Sequence, residues 1–172
     1  MKATVQAATV QPWTEAESSV VLSAVRSNYP VGTEPHVALL HEMASRIAMD
    51  APLHEVLAGV VECVTSVVKC DSCFVYVLEE GHLVLRASKN PHPEAVGRLK
   101  LNLGSGITGW VAEHREPVAI SRTAFRDRRF QTFNELLEDR FEAFLSVPVL
   151  SRGRVVGVIN LQNRAPRGYS EL

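Results

Sequence analysis

The chain has 172 residues, of which 46% are apolar and 22% charged, and its formal net charge is −1 at pH 7. Such a length is typical of a single globular domain with a tail. A nearly neutral chain has no general field that draws it to nucleic acid or to anionic lipid, so neither is expected as a partner of this domain. The longest apolar segment, Val56 to Val68, is too short and too polar to span a bilayer.

The amino terminus and the cysteine content both predict a cytoplasmic location. The first residues lack the basic segment, the apolar run and the cleavage site of a secretion signal. Three cysteines, an odd number, do not form a disulfide framework and suit a reducing compartment.

Residues 1–33 are predicted to form an amino-terminal extension, because they are rich in small and polar residues. Thr14 to Glu17 has the spacing of a capping box, which favours a short helix ending near Ser27, while a disordered segment fits the composition equally well. Tyr29-Pro30 and Gly32 end this helix, and one domain is predicted over residues 34–172.

Two helices are predicted at the start of that domain. Apolar residues recur at helical spacing over 37–49, and Leu39 and Met43 form a second apolar stripe, so this helix has two surfaces to bury. Pro52 separates it from a longer helix over 53–68, whose apolar positions predict one broad buried face.

Strand patterns follow these helices. Ser72–Glu79 and His82–Ser88 are predicted to pair as a hairpin around Glu80-Gly81. A glycine-punctuated turn over 103–106 runs into a short helix, which gives way to a brief strand over 117–120 because proline cannot continue a helix.

A polar, arginine-rich connection over 121–142 leads to a second predicted hairpin, 144–150 with 155–162. Both faces of the last strand begin apolar, which predicts a central strand. Alternation places on one face Val155, Gly157, Ile159 and Leu161. It places on the other face Val156, Val158, Asn160 and Gln162. Pro148 lies within the first strand of this hairpin, so a bulge is expected there.

Four motifs in this region stand in an order that resembles the GAF domain family. They are G-x-G-[IL]-x-G-x-[VA]-A from Gly104, E-P-V-x-I from Glu116, S-V-P-[VL] from Ser146 and G-V-[IL]-x-[LV]-x-N from Gly157. The similarity covers roughly Pro35 to the chain end. The run R-F-E-A-F-L-S-V-P-V is most similar to the amino-terminal GAF domains of nitrogen-pathway phosphotransferase Enzyme I proteins, and to those of bacterial signalling proteins generally.

The resemblance implies an α+β fold with a central antiparallel sheet of about six strands. It implies that helices 37–49 and 53–68 lie on one face of the sheet and that a ligand pocket lies on the other, under residues 121–142. GAF domains usually begin a terminal helix where this chain has Gly168 to Leu172. Residues 34–172 are therefore expected to form a GAF domain that lacks its carboxy-terminal helix.

The resemblance also implies a regulatory function. The expected function is a non-enzymatic sensor domain of a bacterial signalling or transcription-control protein, which binds a small metabolite and transmits its state to an effector domain. No cofactor is expected. Two alternatives stay open: a ligand-free dimerisation or interaction module, and a redox sensor that uses Cys70 and Cys73.

Ligand contacts are expected between the sheet and the arginine-rich connection, whose arginines can bind a carboxylate or phosphate and whose phenylalanines can enclose an apolar group. The predicted contacts are Tyr76, Thr108, Trp110, Arg128, Phe130, Phe133 and Ser146. The connection carries as many acidic residues as arginines, which favours the alternative of a solvated helix face with self-paired charges.

Catalytic, metal and haem sites are not expected. GAF-fold methionine sulfoxide reductases place a catalytic cysteine in the glycine turn, where this chain has Ile107 and Thr108. Cys70 and Cys73 have the spacing of half a zinc site, but no second pair stands at a matching distance. Cys73 alternates with Val75 on one strand face, so packing in the core is expected.

Haem would need an axial histidine on the pocket, whereas His92, in a loop beside prolines, and His114, at a helix end, are expected in solvent. A homodimer is expected through the helix over 37–49, because the stripe at Leu39 and Met43 is costly unless a partner covers it. Without the carboxy-terminal helix this dimer should depend on concentration.

Overall fold

The computed structural model describes residues 51–90, 92–131 and 141–169. Within these ranges six strands form one antiparallel sheet with the order β3-β2-β1-β6-β5-β4. The strands are β1 (Ser72–Glu79), β2 (His82–Ser88), β3 (Lys100–Asn102), β4 (Val118–Ile120), β5 (Ala143–Ser151) and β6 (Arg154–Asn163). The α+β architecture and both predicted hairpins are confirmed.

Helix α1 (Leu53–Val67) packs on β1 and β2, and helix α2 (Gly106–His114) packs on β5 and β6. Both helices match the sequence prediction. They lie on opposite faces of the sheet, because the residues of β1 that pack with each helix alternate along the strand. Cys73 and Val75 face the side of α1, which we call the α1 face, and Phe74 and Tyr76 face the side of α2, which we call the α2 face.

The turn between β1 and β2 explains how tightly these two strands connect. Glu80 and Gly81 both have positive φ, 48° and 83°. Two consecutive residues of positive φ form the type I′ turn, whose twist matches that of the flanking strands. The predicted hairpin ends are therefore those observed.

A bulge overturns one detail of the predicted alternation. Leu150 pairs with Val155, whereas Val149 pairs with Gly157, so β6 contains one extra residue there. An extra residue reverses the direction of the side chains that precede it. Val155 therefore packs on the α2 face with Val158, and not with Gly157, Ile159 and Leu161 as predicted.

The bulge expected at Pro148 is not found there: the register shift falls between Val149 and Leu150, and the extra residue belongs to β6. Pro148 itself stays in register, opposite Val158. Strand β4 begins at Val118, opposite Ser146, so no described strand borders β5 beyond that point on this side. A proline is tolerated at such an edge because its missing N–H leaves no ladder hydrogen bond unmade.

Several predictions lie outside the described residues: the extension over 1–33, the helix over 37–49 with Leu39 and Met43, and the side chain of Phe133. Among the described helices, none has both the length and the apolar character needed to cross a bilayer.

Candidate functional site

A chain of buried hydrogen bonds joins α2 to the centre of the sheet. Ser146 Oγ donates to Asn160 Oδ1 over 2.7 Å, and Asn160 Nδ2 donates to Thr108 Oγ1 over 2.7 Å. All three side chains are buried. Ser146 and Asn160 are opposite each other on β5 and β6, while Thr108 comes from the first turn of α2. Because a buried polar group is costly when it has no partner, these bonds favour one position of α2 on the sheet.

The glycine turn allows α2 to begin this close to the sheet. Gly104 and Gly106 have positive φ, 77° and 67°, which side-chain-bearing residues rarely adopt. Gly109 packs on backbone: a Cβ there would clash with the carbonyl oxygen of Asn102. The motif therefore places Thr108 over the sheet by backbone geometry.

Residues 121–131, which we call the cover segment, lie against α2. The Asp127 carboxylate accepts two hydrogen bonds of 2.9 Å from the Arg129 guanidinium and one of 2.8 Å from the Arg129 amide. This hydrogen bonding holds the pKa of Asp127 below its ordinary value and raises the pKa of Arg129. The paired guanidinium lies 4.7 Å from the ring centroid of Trp110, a cation–π distance.

Two further contacts fasten the cover segment. Phe130 packs edge-to-face on Phe144 of β5, with ring centroids 6.4 Å apart. Ser105 Oγ, just before α2, donates to Gln131 Oε1 over 3.0 Å. The ring of Phe130 thus holds the cover segment on the sheet. The Arg129 guanidinium and the Gln131 side-chain amide hold it on α2.

The structure brings some of the predicted ligand residues together and not others. Thr108 and Ser146 meet through Asn160, and Trp110 contacts the cover segment, to which Phe130 belongs. Tyr76 is buried on the α2 face, opposite Val158. The residue predicted as the main cation, Arg128, is exposed, and Phe133 is outside the described residues.

Sequence reasoning did not select three residues of this site, Asn160, Arg129 and Gln131. Asn160 carried a signal, because the predicted alternation put it beside Val158 on the face opposite α1, where an unpaired amide is unfavourable. No sequence signal distinguished Arg129 from Arg128. The two differ because only Arg129 makes a bidentate bond to Asp127, and that bond can be seen only once the course of the backbone is known.

The two histidines differ in environment. His114 is exposed, as expected, and its ring stacks on Trp110 with centroids 4.1 Å apart. The expectation that His92 lies in solvent is wrong: its side chain is only 15% exposed, and its ring lies 5.7 Å from that of Phe74. The reason is that the loop after β2 folds onto the α2 face, where Ala95 is fully buried.

The three cysteines are free, and Cys70 and Cys73 belong to the core on the α1 face. Cys73 packs in the core on the α1 face, as predicted, and burial raises the pKa of its thiol to about 12. Burial also raises the pKa of Cys70 and of Cys63. Within residues 51–90, 92–131 and 141–169, no group of three or more His, Cys, Asp or Glu could hold a metal ion.

Comparison with known proteins identifies the family of this chain and shows what share of its relatives' length it covers. A family model described as the GAF domain matches residues 50–172. The phosphoenolpyruvate-dependent phosphotransferase system protein of Salmonella typhimurium is 28% identical over 137 residues, which are 77% of this chain and 18% of that protein. The chain therefore spans less than a fifth of the length of the curated relatives it matches.

Solved structures agree on the fold. The GAF domain of an Acinetobacter phosphoenolpyruvate-protein phosphotransferase is 31% identical, with a TM-score of 0.69 over 81% of this chain and 84% of that chain. The free methionine-R-sulfoxide reductase of Neisseria meningitidis, at 16% identity, has a TM-score of 0.61 over 79% of this chain and 77% of that one. Since an enzyme shares the fold, activity has to be argued from the residues of this chain.

Proposed function

This chain belongs to the GAF domain family, and on that premise we propose that it is a non-enzymatic regulatory sensor domain of a bacterial signalling or transcription-control protein. It binds a small metabolite on the α2 face, beneath the cover segment, and transmits the bound state to an effector domain. The phosphotransferase relatives contain this domain as a small part of a longer chain. A cytoplasmic location and a homodimer through Leu39 and Met43 belong to the same proposal.

The observation that carries this proposal is a contrast between the two faces of the sheet. The core on the α1 face consists of aliphatic side chains and two thiols. The buried Ser, Thr, Asn and Gln side chains of the described residues belong instead to the α2 face: Ser72, Thr108, Ser146, Asn160 and Gln162. Thr108, Ser146 and Asn160 bond one another and hold α2, whereas Ser72 and Gln162 have no such role; a ligand site needs a few convergent polar groups in apolar surroundings.

The proposed ligand contacts are Tyr76, Thr108, Trp110, Arg128, Phe130, Phe133 and Ser146. We add Arg129, because its guanidinium contacts Trp110 at the edge of this face. The pairing of Arg129 with Asp127 means that a ligand acid would compete with the Asp127 carboxylate for the same donors.

Absence of catalysis is part of the proposal. A nucleophilic thiol must be a thiolate, and burial keeps the Cys73 thiol protonated. The glycine turn beside Thr108 has no thiol. The same burial disfavours a redox sensor built on Cys73. Turnover of free methionine sulfoxide or of a cyclic nucleotide, lost on mutation of Cys70 or Cys73, would contradict this part.

The test of binding is native mass spectrometry of protein purified without denaturation. We expect a bound small molecule whose re-addition raises the Tm of the wild type by mass action. The rise should be smaller in Arg128→Ala, Phe130→Ala and Phe133→Ala, and unchanged in Arg152→Ala, a control on the exposed β5–β6 turn. If all three variants keep the wild-type affinity, the site lies elsewhere.

A further inference from the structure

Three polar atoms on the α2 face are buried and have no hydrogen-bond partner within the described part of the chain: Ser72 Oγ, Ser88 Oγ and Gln162 Oε1. Ser72 and Gln162 are directly opposite each other on β1 and β6. Ser88 on β2 is opposite Phe74, two residues along β1 from Ser72. Opposite and diagonal neighbours lie about 5–8 Å apart, so the three atoms form one group across three adjacent strands, which we call the unpaired cluster.

The unpaired cluster differs from the polar residues beside it. Asn160 lies two residues before Gln162 on the same face of β6, and its amide is paired with both Thr108 and Ser146. Gln162 is opposite Phe144, which offers no hydrogen bond. A buried polar atom left without a partner costs about 1–3 kcal/mol. Three such atoms in one place therefore call for a partner from outside the described residues.

We propose that the unpaired cluster is the polar end of the ligand site, and that it takes an uncharged head group that both donates and accepts hydrogen bonds, such as a carboxamide or an alcohol. This inference rests on the proposed function. Gln162 Oε1 only accepts, so its partner must carry an N–H or O–H group, which a carboxylate lacks. The hydroxyls of Ser72 and Ser88 can donate to and accept from that same group.

The charged residues next to the cluster in sequence do not neutralise a charged ligand. Asp71 comes just before β1 and Lys89 just after β2, and each is held by a hydrogen bond outside the cluster. The Lys89 ammonium donates to the Cys70 carbonyl, and the Asp71 carboxylate accepts from the Arg164 amide over 2.7 Å. An ionised head group would lose its hydration without gaining an opposite charge here, which is unfavourable. The cluster therefore selects a neutral head group.

Aromatic rings border the cluster. Phe74 lies between Ser72 and Tyr76 on the same face of β1, and Phe144 is opposite Gln162. The ring of His92 lies 5.7 Å from that of Phe74. These rings suit a flat apolar body, so benzamide is a suitable probe and benzoate is its charged counterpart of the same shape.

The first arm of the experiment needs no ligand. Replacing an unpaired buried polar group by an apolar one of similar size removes its desolvation cost, so Ser72→Ala and Gln162→Met should each raise the Tm of the free protein by roughly 2–4 °C. Asn160→Leu is the matched control and should lower the Tm, because it breaks two hydrogen bonds. If Ser72→Ala and Gln162→Met lower the Tm as this control does, the atoms are paired within the chain and the inference is wrong.

The second arm compares benzamide with benzoate by the chemical-shift changes that each causes in the wild type at millimolar concentration. Benzamide should bind in a saturable way, and Gln162→Met should weaken its binding about fivefold or more while leaving any benzoate binding at Arg129 unchanged. Absent benzamide binding, benzamide binding unchanged in Gln162→Met, or benzoate binding that Gln162→Met weakens equally would each overturn the inference. A co-purified metabolite that depends on Phe130 but not on Gln162 would leave the proposed function standing and reject this inference alone.

Discussion

The guanidinium of Arg129 lies 4.7 Å from the ring centroid of Trp110 and joins the cover segment to α2. Its position is set by the bidentate bond to Asp127, whereas the adjacent Arg128 is exposed. The contact therefore connects a segment that lies over the α2 face with the helix whose Thr108 is bonded into the sheet.

Removal of the Arg129 side chain should loosen the cover segment. Arg129→Ala loses the cation–π contact and leaves the Asp127 carboxylate without its main partner, so we expect the free energy of unfolding to fall by about 1–2 kcal/mol. Arg128→Ala, the matched control, should change it by less than about 0.5 kcal/mol. Urea denaturation measures both, and equal losses would mean that the Arg129 contact does not hold the segment.

Acid should break the same contact. Hydrogen bonding to Arg129 lowers the pKa of Asp127 below its ordinary value of 3.8. As pH falls, Asp127 is protonated in the unfolded chain before it is protonated in the folded one. The stability that the Asp127–Arg129 pair contributes is therefore present above pH 3.8. It is lost as pH falls through the lower pKa that Asp127 has in the folded chain. Circular dichroism melts of the wild type and Asp127→Asn across this range measure the effect. Parallel pH profiles would contradict it.

Gly157 should tolerate no side chain. A Cβ at Gly157 would clash with the carbonyl oxygen of Tyr76 on β1, whose backbone position is fixed by pairing. Gly157→Ala is therefore expected to destabilise the chain by about 3 kcal/mol or more. Gly168→Ala, where a Cβ meets nothing within 4 Å, should change stability little. Similar Tm values for the two variants would contradict the register of β1 and β6.

Alkylation should distinguish core cysteines from reactive ones. Cys73 is fully buried with a pKa of about 12, so iodoacetamide at pH 8 should modify the half-buried Cys63 well before Cys73. Because the unfolded thiol ionises near 9.0, stability should also fall as pH rises from 9.0 towards 12. Peptide mass spectrometry measures the modification, and rapid labelling of native Cys73 would revive the redox-sensor alternative.

The dimer stays a prediction, because Leu39 and Met43 lie outside the described residues. Sedimentation across a wide concentration range should show a monomer–dimer equilibrium that Leu39→Glu with Met43→Glu shifts towards monomer. A strict monomer at every concentration, or a dimer that these changes leave intact, would remove this route of transmission.

The fold was largely predictable because its signals are local. The spacing of the apolar residues predicted α1, and the Glu80-Gly81 turn predicted the first hairpin with the strand ends that are observed. The direction of Val155 was not predictable, since one bulge residue reverses the alternation before it. His92 was misplaced because the sequence does not show where a loop folds back.

The site was predictable only in part. The glycine turn identified Thr108 and Trp110, because a motif fixes the helix that carries them. Selecting Arg129 over Arg128 depends on a carboxylate two residues away that adopts a bidentate geometry. The unpaired cluster depends on register across β2, β1 and β6, which no single segment of sequence contains.

The central claim is that a small molecule binds on the α2 face beneath the cover segment. The chain has two tryptophans, so Trp13→Phe leaves Trp110 as the sole reporter of this site. Titration of that variant with fractions of a bacterial small-molecule extract should give a saturable change in Trp110 emission that Arg129→Ala weakens. The contradictory result is a fraction that raises the Tm of the protein yet leaves Trp110 emission unchanged both in the Trp13→Phe variant and in the same variant carrying Arg129→Ala. Such a fraction would bind away from the α2 face.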